Sequence, residues 1–571
     1  MVFLSQSRAR MITSLAMLIA AGGAELWAQS VSLPPTLDPS KIDKNLMTQP
    51  EPKAVLTKQY KLSEQVTPQE ASKVSFIFKT LVIEGNTALS TEDLTLLWPH
   101  KVGDEVRVDE IFQFANAISK AYADAGYALS FGVVPEQNIQ DGIVKVTVIE
   151  GRVSAATFNT TPSGYAGRAT RIQLLRICRS KPVSAKILER NLLLMDDLPG
   201  WEAKAVLSPD DKVVGGSALT LEFTQQPQAV ELSWNNFLPS SLASGVVGLS
   251  YAGLRVFDDG DDLSASFNAT PGGNAYRSYA LGYSTLVGTD GQRLSLNLSQ
   301  SDSRPQDPTL LALEYAGLSR SARLTFSYPL VRSRASTVNL ETFIGAQESD
   351  TSAQIGSSFT HDHLRSVGAS VTFDFANADQ ASNLIKLNVE QGLDIAGAKG
   401  NSRTNGSTNF TITSVDFTRT APLMAIGTGA LSYCFALQGQ VSLGRPLFSA
   451  QESSYGGRQF GRFFDSGSVS GENTVFGSLE LRYAMPVSVG LDDPIFAQLY
   501  TFFDAGHARQ QGDLQPGDAR SRKAATAGVG VRLGLPYHSN ALIEVSRPVT
   551  LPSGYTGDTG NRISGSFGIR F

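Results

Sequence analysis

From about Val230 to Phe571, apolar side chains recur at every second position in short runs. Examples are Leu294-Ser-Leu-Asn-Leu298, Val338-Asn-Leu-Glu-Thr-Phe343, Gly477-Ser-Leu-Glu-Leu-Arg-Tyr483 and the terminal Ile563-Ser-Gly-Ser-Phe-Gly-Ile-Arg-Phe571. A period of two sets one face of a strand against an apolar medium and the other against a polar one. Glycine-rich turn signals separate the runs: "DDGDD", "TPGGN", "GTDGQ" and "PSGYTGDTG". Upstream the texture is different. Between Asp109 and Asp124, Ile111, Phe114, Ala115, Ile118 and Tyr122 fall at helical spacing, and Gly126 ends the run. "FIFKTLVIEGNTALS" reads as a strand closed by a Gly85-Asn86 turn, after which Ser90 and Asp93 form a helix-capping pair. "YALSFGVVPE" and "GIVKVTVIEG" are further strands. After Gly151 a similar unit restarts with "VSAATFNT", helices in "RIQLLRICRS" and "SAKILERNLLLMDDL", and strands "WEAKAVLSP" and "SALTLEFTQ". The chain therefore predicts two small α+β domains of order β-α-α-β-β, at 76–152 and 153–226, as a weak repeat of about 75 residues.

Before them, residues 29–75 are polar and proline-punctuated, a linker with one short helix around Ser40 to Met47. Residues 1–28 predict an export signal: Arg8 and Arg10, an apolar stretch from Met11 to Ala21, then small residues up to Ala28. No other run is long and apolar enough for a membrane helix.

Alternating strands at 227–571 fit a soluble sandwich or propeller as well as a membrane barrel. Export, aromatics near strand ends (Trp234, Phe237, Tyr251, Tyr279, Tyr283, Tyr328, Tyr483) and a strand finishing on Phe571 favour the barrel. A closed barrel has no edge, so it satisfies every backbone group in lipid. Lysine fits this zone's texture, occurring after Val230 only at 386, 399 and 523. The net charge of −5 gives no sign of nucleic-acid binding, and the two cysteines, Cys178 and Cys434, lie too far apart to read as a disulfide framework or metal site, while sequence leaves a pairing between them open.

Candidate chemistry is sparse. His361-Asp-His363 reads as a polar loop rather than a metal site, since no further ligand follows at useful spacing. There is no phosphate-binding Gly-x-x-x-x-Gly-Lys-Ser/Thr loop, no nucleophile elbow and no paired catalytic carboxylates, so no enzyme, cofactor or metal is expected. What stands out is "YGGRQFGRFFDSG", Tyr455 to Gly467, too glycine-rich for a helix and too irregular for a strand.

Taken in order, these segments resemble a known family. "FKTLVIEGNTALSTEDL", "YADAGY" and "VIEGRV" resemble a polypeptide-transport-associated (POTRA) domain, and "RNLLLMDDLPGWEAKAVLSP" resembles a second one. "LTFSYPLVRSR", "YGGRQFGRFF", "GSLELRY" and "FFDAG" resemble barrel motifs of two-partner secretion transporters (the TpsB family, ShlB/FhaC/HecB-type). The resemblance implies a transmembrane antiparallel β-barrel of about 16 strands, two periplasmic α+β POTRA domains, and an N-terminal helix that can plug the pore.

It further implies an outer-membrane location in a Gram-negative bacterium and export, without ATP, of an unfolded partner, a large adhesin- or hemolysin-like β-helical protein. Outer-membrane lipid, periplasmic chaperones and the barrel-assembly machinery are the other partners implied. The rival readings are an assembly or insertion factor of the same superfamily and a passive porin. In the family a loop, here about 449–475, folds into the lumen. Its motif maps onto Gly456, Gly457, Arg462 and Phe464, and its barrel-wall partner onto Phe502, Asp504 and Gly506, with Glu480 a second candidate. The sequence departs from the family tip at Gly461 and Phe463. An arginine fork gripping a carboxylate would pin such a loop.

Overall fold

The computed structural model describes residues 35–46, 51–54, 71–353, 358–487, 495–514 and 519–571. The expected export signal at 1–28 and parts of the linker lie outside the described residues.

In the first N-terminal unit, strand Ile143–Ile149 lies between Thr80–Glu84, its parallel neighbour, and Phe131–Val133, antiparallel to it. Helix Val108–Asp124 packs Ile111, Phe114, Ile118 and Tyr122 onto Val144, Val146 and Val148, so the helical and alternating periods meet in one core. Ser90 caps helix Thr91–Thr95, accepting the Asp93 N–H at 3.1 Å and donating to the Asp93 carboxylate at 2.7 Å. The strand expected to run unbroken from Phe76 is in fact split. Phe78 is buried in the core, and its N–H donates to the Asp104 carbonyl while that of Lys79 donates to Gly142. Ser75–Ile77 consequently pairs with Glu105–Arg107, apart from the main sheet. The second unit repeats the layout: Gly216–Gln225 lies between parallel Arg152–Phe158 and antiparallel Trp201–Pro209, with helices Gly164–Arg179 and Ala185–Asp196.

The remainder is a closed antiparallel barrel of sixteen strands. They are β1 (Ala229–Asn235), β2 (Val246–Leu254), β3 (Asp261–Ala269), β4 (Tyr276–Leu286), β5 (Arg293–Ser303) and β6 (Ala316–Arg332). Next come β7 (Ser336–Ala353), β8 (Ser358–Ala376), β9 (Ser382–Gly392), β10 (Thr411–Ile426) and β11 (Gly429–Ser442). The last are β12 (Asn473–Val487), β13 (Ile495–Arg509), β14 (Ser521–Leu535), β15 (Ser539–Thr550) and β16 (Arg562–Arg570), which pairs with β1. A two-residue strand, Lys399–Gly400, adds onto β8 from the loop after β9.

Alternation separates the two faces. Leu232, Leu249, Leu281, Leu296, Leu387, Leu479, Phe503 and Ile543 are exposed on the outer wall, while their neighbours Ser478, Glu480, Asp504 and Glu544 are buried within. A continuous apolar belt of this extent belongs in lipid. His361 and His363 lie within β8 and not in a loop, because β7–β8 pairing continues through Asp350↔His361 to Ala353↔Ser358. Among the described residues no group of side chains could hold a metal, and both cysteines are free.

The second unit docks on three consecutive turns at one rim. Asp197 takes the Arg332 guanidinium at 2.6 and 2.8 Å, Asp259 accepts the Ser163 N–H and hydroxyl at 2.7 Å, and Asp290 pairs with Arg176. This rim is the proximal one.

Candidate functional site

Inside the barrel, the long loop between β11 and β12 turns back from the distal rim. Its short hairpin pairs Ser453–Tyr455 with Val469–Gly471, and its aromatic tip packs Tyr455, Phe460, Phe463 and Phe464 against Phe476, Ala508 and Ala524 of the wall. Glycines make the close approach possible. Gly456 has φ +120° and sits where a Cβ would lie 2.0 Å from the Asp465 carbonyl. The Gly457 N–H donates to the Phe464 carbonyl at 2.9 Å.

At the tip, Phe464 N–H closes a turn onto the Gly461 carbonyl at 2.7 Å. The left-handed residue is Gly461, φ +76°, and Phe463 has no positive φ. The departures from the family pattern thus fit this loop: glycine stands where the backbone requires it, and Phe463 supplies a ring edge-on to Phe464, centroids 5.1 Å apart.

Arg462 is the centre of the site. Its Nε and Nη2 grip Asp504 at 3.1 and 2.9 Å, Nη1 reaches Glu480 at 2.6 Å and Glu544 at 3.3 Å, and Nη2 also donates to Ser478 at 3.0 Å. Every N–H of the guanidinium therefore has an acceptor. Asp504, 0% exposed, also accepts the backbone N–H of Gly461 at 3.1 Å. The Phe502 ring lies 3.6 Å beneath the guanidinium carbon. Three carboxylates around one arginine would repel each other, and two wall arginines balance them. Glu480 also accepts from Arg482 at 2.6 Å and from Arg532 at 2.9 and 3.1 Å. The Glu544 carboxylate takes the Tyr500 hydroxyl at 2.8 Å.

All eight residues singled out from sequence meet here. Gly506 leaves the space that the Tyr455 ring fills, a Cβ there standing 2.5 Å from it. Phe464 is fully buried between Tyr455, Phe463 and Tyr555. Sequence reasoning missed Glu544, Ser478, Arg482 and Arg532. The available signal was parity: a charged residue between apolar neighbours in a membrane strand, as in Ile543-Glu544-Val545, points inward. It also missed Arg562, which donates to the Asp465 carboxylate at 2.7 Å and the Phe463 carbonyl at 3.1 Å. Arg458, in the same glycine-rich stretch, has its guanidinium over the Phe237 ring at 5.2 Å.

The short helix expected near Ser40 forms at Pro39–Leu46 and lies in the lumen beside the loop. Leu37 and Ile42 pack on Tyr276, Tyr315 and Leu238 of the barrel, and Asp43 accepts the Tyr276 hydroxyl. The Lys41 ammonium faces Glu452 at the loop's base, 3.5 Å away, and the Lys41 carbonyl accepts the Ser466 hydroxyl at 2.9 Å. Loop and helix both lie inside the barrel in contact with each other, and neither is part of the wall.

Residues 215–533 of the 571 match the family described as haemolysin secretion/activation protein ShlB/FhaC/HecB, and residues 76–151 match a ShlB-type POTRA domain. A curated relative from Haemophilus influenzae, the heme/hemopexin transporter protein HuxB, is 26% identical over 149 residues, a match spanning 26% of each chain. The fold is similar to CdiB from Escherichia coli at 17% identity, covering 99% of both chains with a TM-score of 0.71. It is also similar to CdiB from Acinetobacter baumannii at 16% identity, covering 93% of this chain and 96% of that one with a TM-score of 0.60. The barrel lies in the outer membrane, with its POTRA region in the periplasm at the proximal rim. With a matched stretch covering more than half its length, the chain belongs to the ShlB/FhaC/HecB family of two-partner secretion proteins.

Proposed function

We propose that the protein is an outer-membrane pore that receives one unfolded partner protein in the periplasm and passes it to the cell surface without ATP. The observation that carries this reading is a lumen occupied by two non-wall pieces, the Arg462-anchored loop and helix Pro39–Leu46, above a pair of POTRA-like units. A passive porin needs neither piece. The partner is a large adhesin- or hemolysin-like β-helical protein whose folding outside draws the chain through. Capture begins by strand addition: Trp201–Pro209 is an edge strand with Val206 and Leu207 exposed, a template for an extended client. The loop acts as a positioned constriction, held by a buried arginine that is satisfied only while the loop sits on β12, β13 and β15. Deleting the protein and comparing culture media tests the reading. One large secreted protein should disappear while general outer-membrane protein levels stay constant. A general fall in barrel proteins would instead point to an assembly factor.

A further inference from the structure

Below the Arg462 cluster, residues Glu51–Ala54 run along the lumenal wall near the proximal rim, and the wall holds them largely by their backbone. The Asp374 carboxylate on β8 accepts two successive N–H groups, Lys53 at 2.8 Å and Ala54 at 3.0 Å. The Ser382 hydroxyl on β9 donates to the Ala54 carbonyl at 2.8 Å. The Lys53 side chain is exposed, so these contacts read a main chain and ignore which residue carries it. The side-chain contact is ionic: Arg482 on β12 donates to the Glu51 carboxylate at 2.9 Å. That end opens into a cavity of about 350 Å³ bordered by Arg458, Gln498 and Arg532.

A barrel wall needs no such device to hold its own fold. Asp374 and Ser382 face inward, where ladder hydrogen bonds already satisfy the wall's backbone. Their polar groups instead match what an extended peptide presents, N–H groups and a carbonyl. Any polypeptide traversing the lumen unfolded presents the same groups along its whole length.

We infer that Asp374, Ser382 and Arg482 form a lumenal subsite for the main chain of an extended polypeptide, and that residues 51–54 occupy it as a tethered stand-in for the client. The inference rests on the secretion reading above. The linker and the client compete for one site, so a client segment that enters it releases the linker. Since Arg482 also donates to Glu480, which holds Arg462, exchange at this subsite takes place one side chain away from the loop anchor. Backbone contacts make the site indifferent to client sequence, apart from a preference for an acidic residue at the Arg482 end.

The test is the full-length double variant Asp374→Asn/Ser382→Ala, matched to the unsubstituted protein for outer-membrane level and heat-modifiable gel migration. Two quantities are read: open-pore conductance in planar bilayers, and export of the pore's own partner, the protein lost from the medium on deletion. A linker that is held less firmly should raise the open fraction, and a client that has lost its subsite should be exported at least about fivefold less, the factor one lost hydrogen bond carries. Raised conductance with undiminished export means the site serves the linker alone and overturns the inference, as does no change in either. A photo-crosslinker at Ser382 in the intact, gel-verified barrel should capture the partner during export, and capture of the linker alone overturns it. The secretion reading itself fails separately, if the unsubstituted pore exports nothing.

Discussion

The Ser466 hydroxyl of the loop donates to the Lys41 carbonyl of the inner helix at 2.9 Å, joining the two pieces that lie inside the barrel. Both groups are buried, so the bond has no competing water. Ser466→Ala should weaken the helix's hold by about 1 kcal/mol, the usual net worth of such a bond, raising the open fraction in planar bilayers about fivefold if the helix is at least mostly seated.

Gly506 on β13 is the seat of the Tyr455 ring, with a Cβ there only 2.5 Å from it. Gly506→Ala should therefore displace the loop hairpin at a cost of about 1–3 kcal/mol without unfolding the barrel. Faster protease cleavage within 455–467, at unchanged gel migration, is the expected result.

The three acids around Arg462 are not equivalent. Asp504 takes a two-pronged guanidinium grip and the Gly461 N–H, whereas Glu544 has one arginine contact at 3.3 Å and a tyrosine hydroxyl. Asp504→Ala leaves a buried arginine short of its main partner and should cost the anchor roughly 3–5 kcal/mol. Glu544→Gln keeps an acceptor in place and should cost about 1 kcal/mol or less. Export assays on the two variants should rank in that order.

In the first POTRA-like unit, the Glu150 carboxylate accepts the Thr87 and Ala88 N–H groups at 2.6 and 2.8 Å, together with the Tyr122 hydroxyl at 2.8 Å. Partial burial pushes its pKa up, but hydrogen bonds, the Thr87 hydroxyl's first and then these three, outweigh burial and hold it below the usual carboxylate value. A pKa depressed on folding stabilises above the unfolded value, about 4.3 for Glu, and that contribution is lost as pH falls through the folded value. Hydrogen-exchange protection in the 84–90 turn of the intact protein, normalised to the intrinsic rate at each pH, should fall over that acidic window, and Glu150→Gln should flatten the dependence.

Much of this was legible because strand alternation and helical spacing are local. Which residues face lipid follows from parity alone, as Leu479, Glu480 and Leu481 illustrate. Arg462 and Asp504 were found through motif resemblance; their pairing spans 42 residues and no local pattern encodes it. Glu544 was missed because it lies 82 residues from Arg462 and carries no motif, only its inward parity. The break at Phe78 escaped because three apolar neighbours read as one strand until tertiary contacts with Asp104 and Gly142 divide them. The path of Glu51–Ala54 along the wall was hidden for a similar reason, since hydrogen bonds to a main chain leave no mark in its side chains.

The most direct measurement is the amount of exported partner in the medium of cells carrying Arg462→Ala, at equal barrel level and folded gel migration. Loss of a buried charge that satisfies three carboxylates frees the loop, and export should fall at least about tenfold, well within what a broken buried pair of roughly 3–5 kcal/mol allows. Export unchanged from the unsubstituted protein would contradict the account.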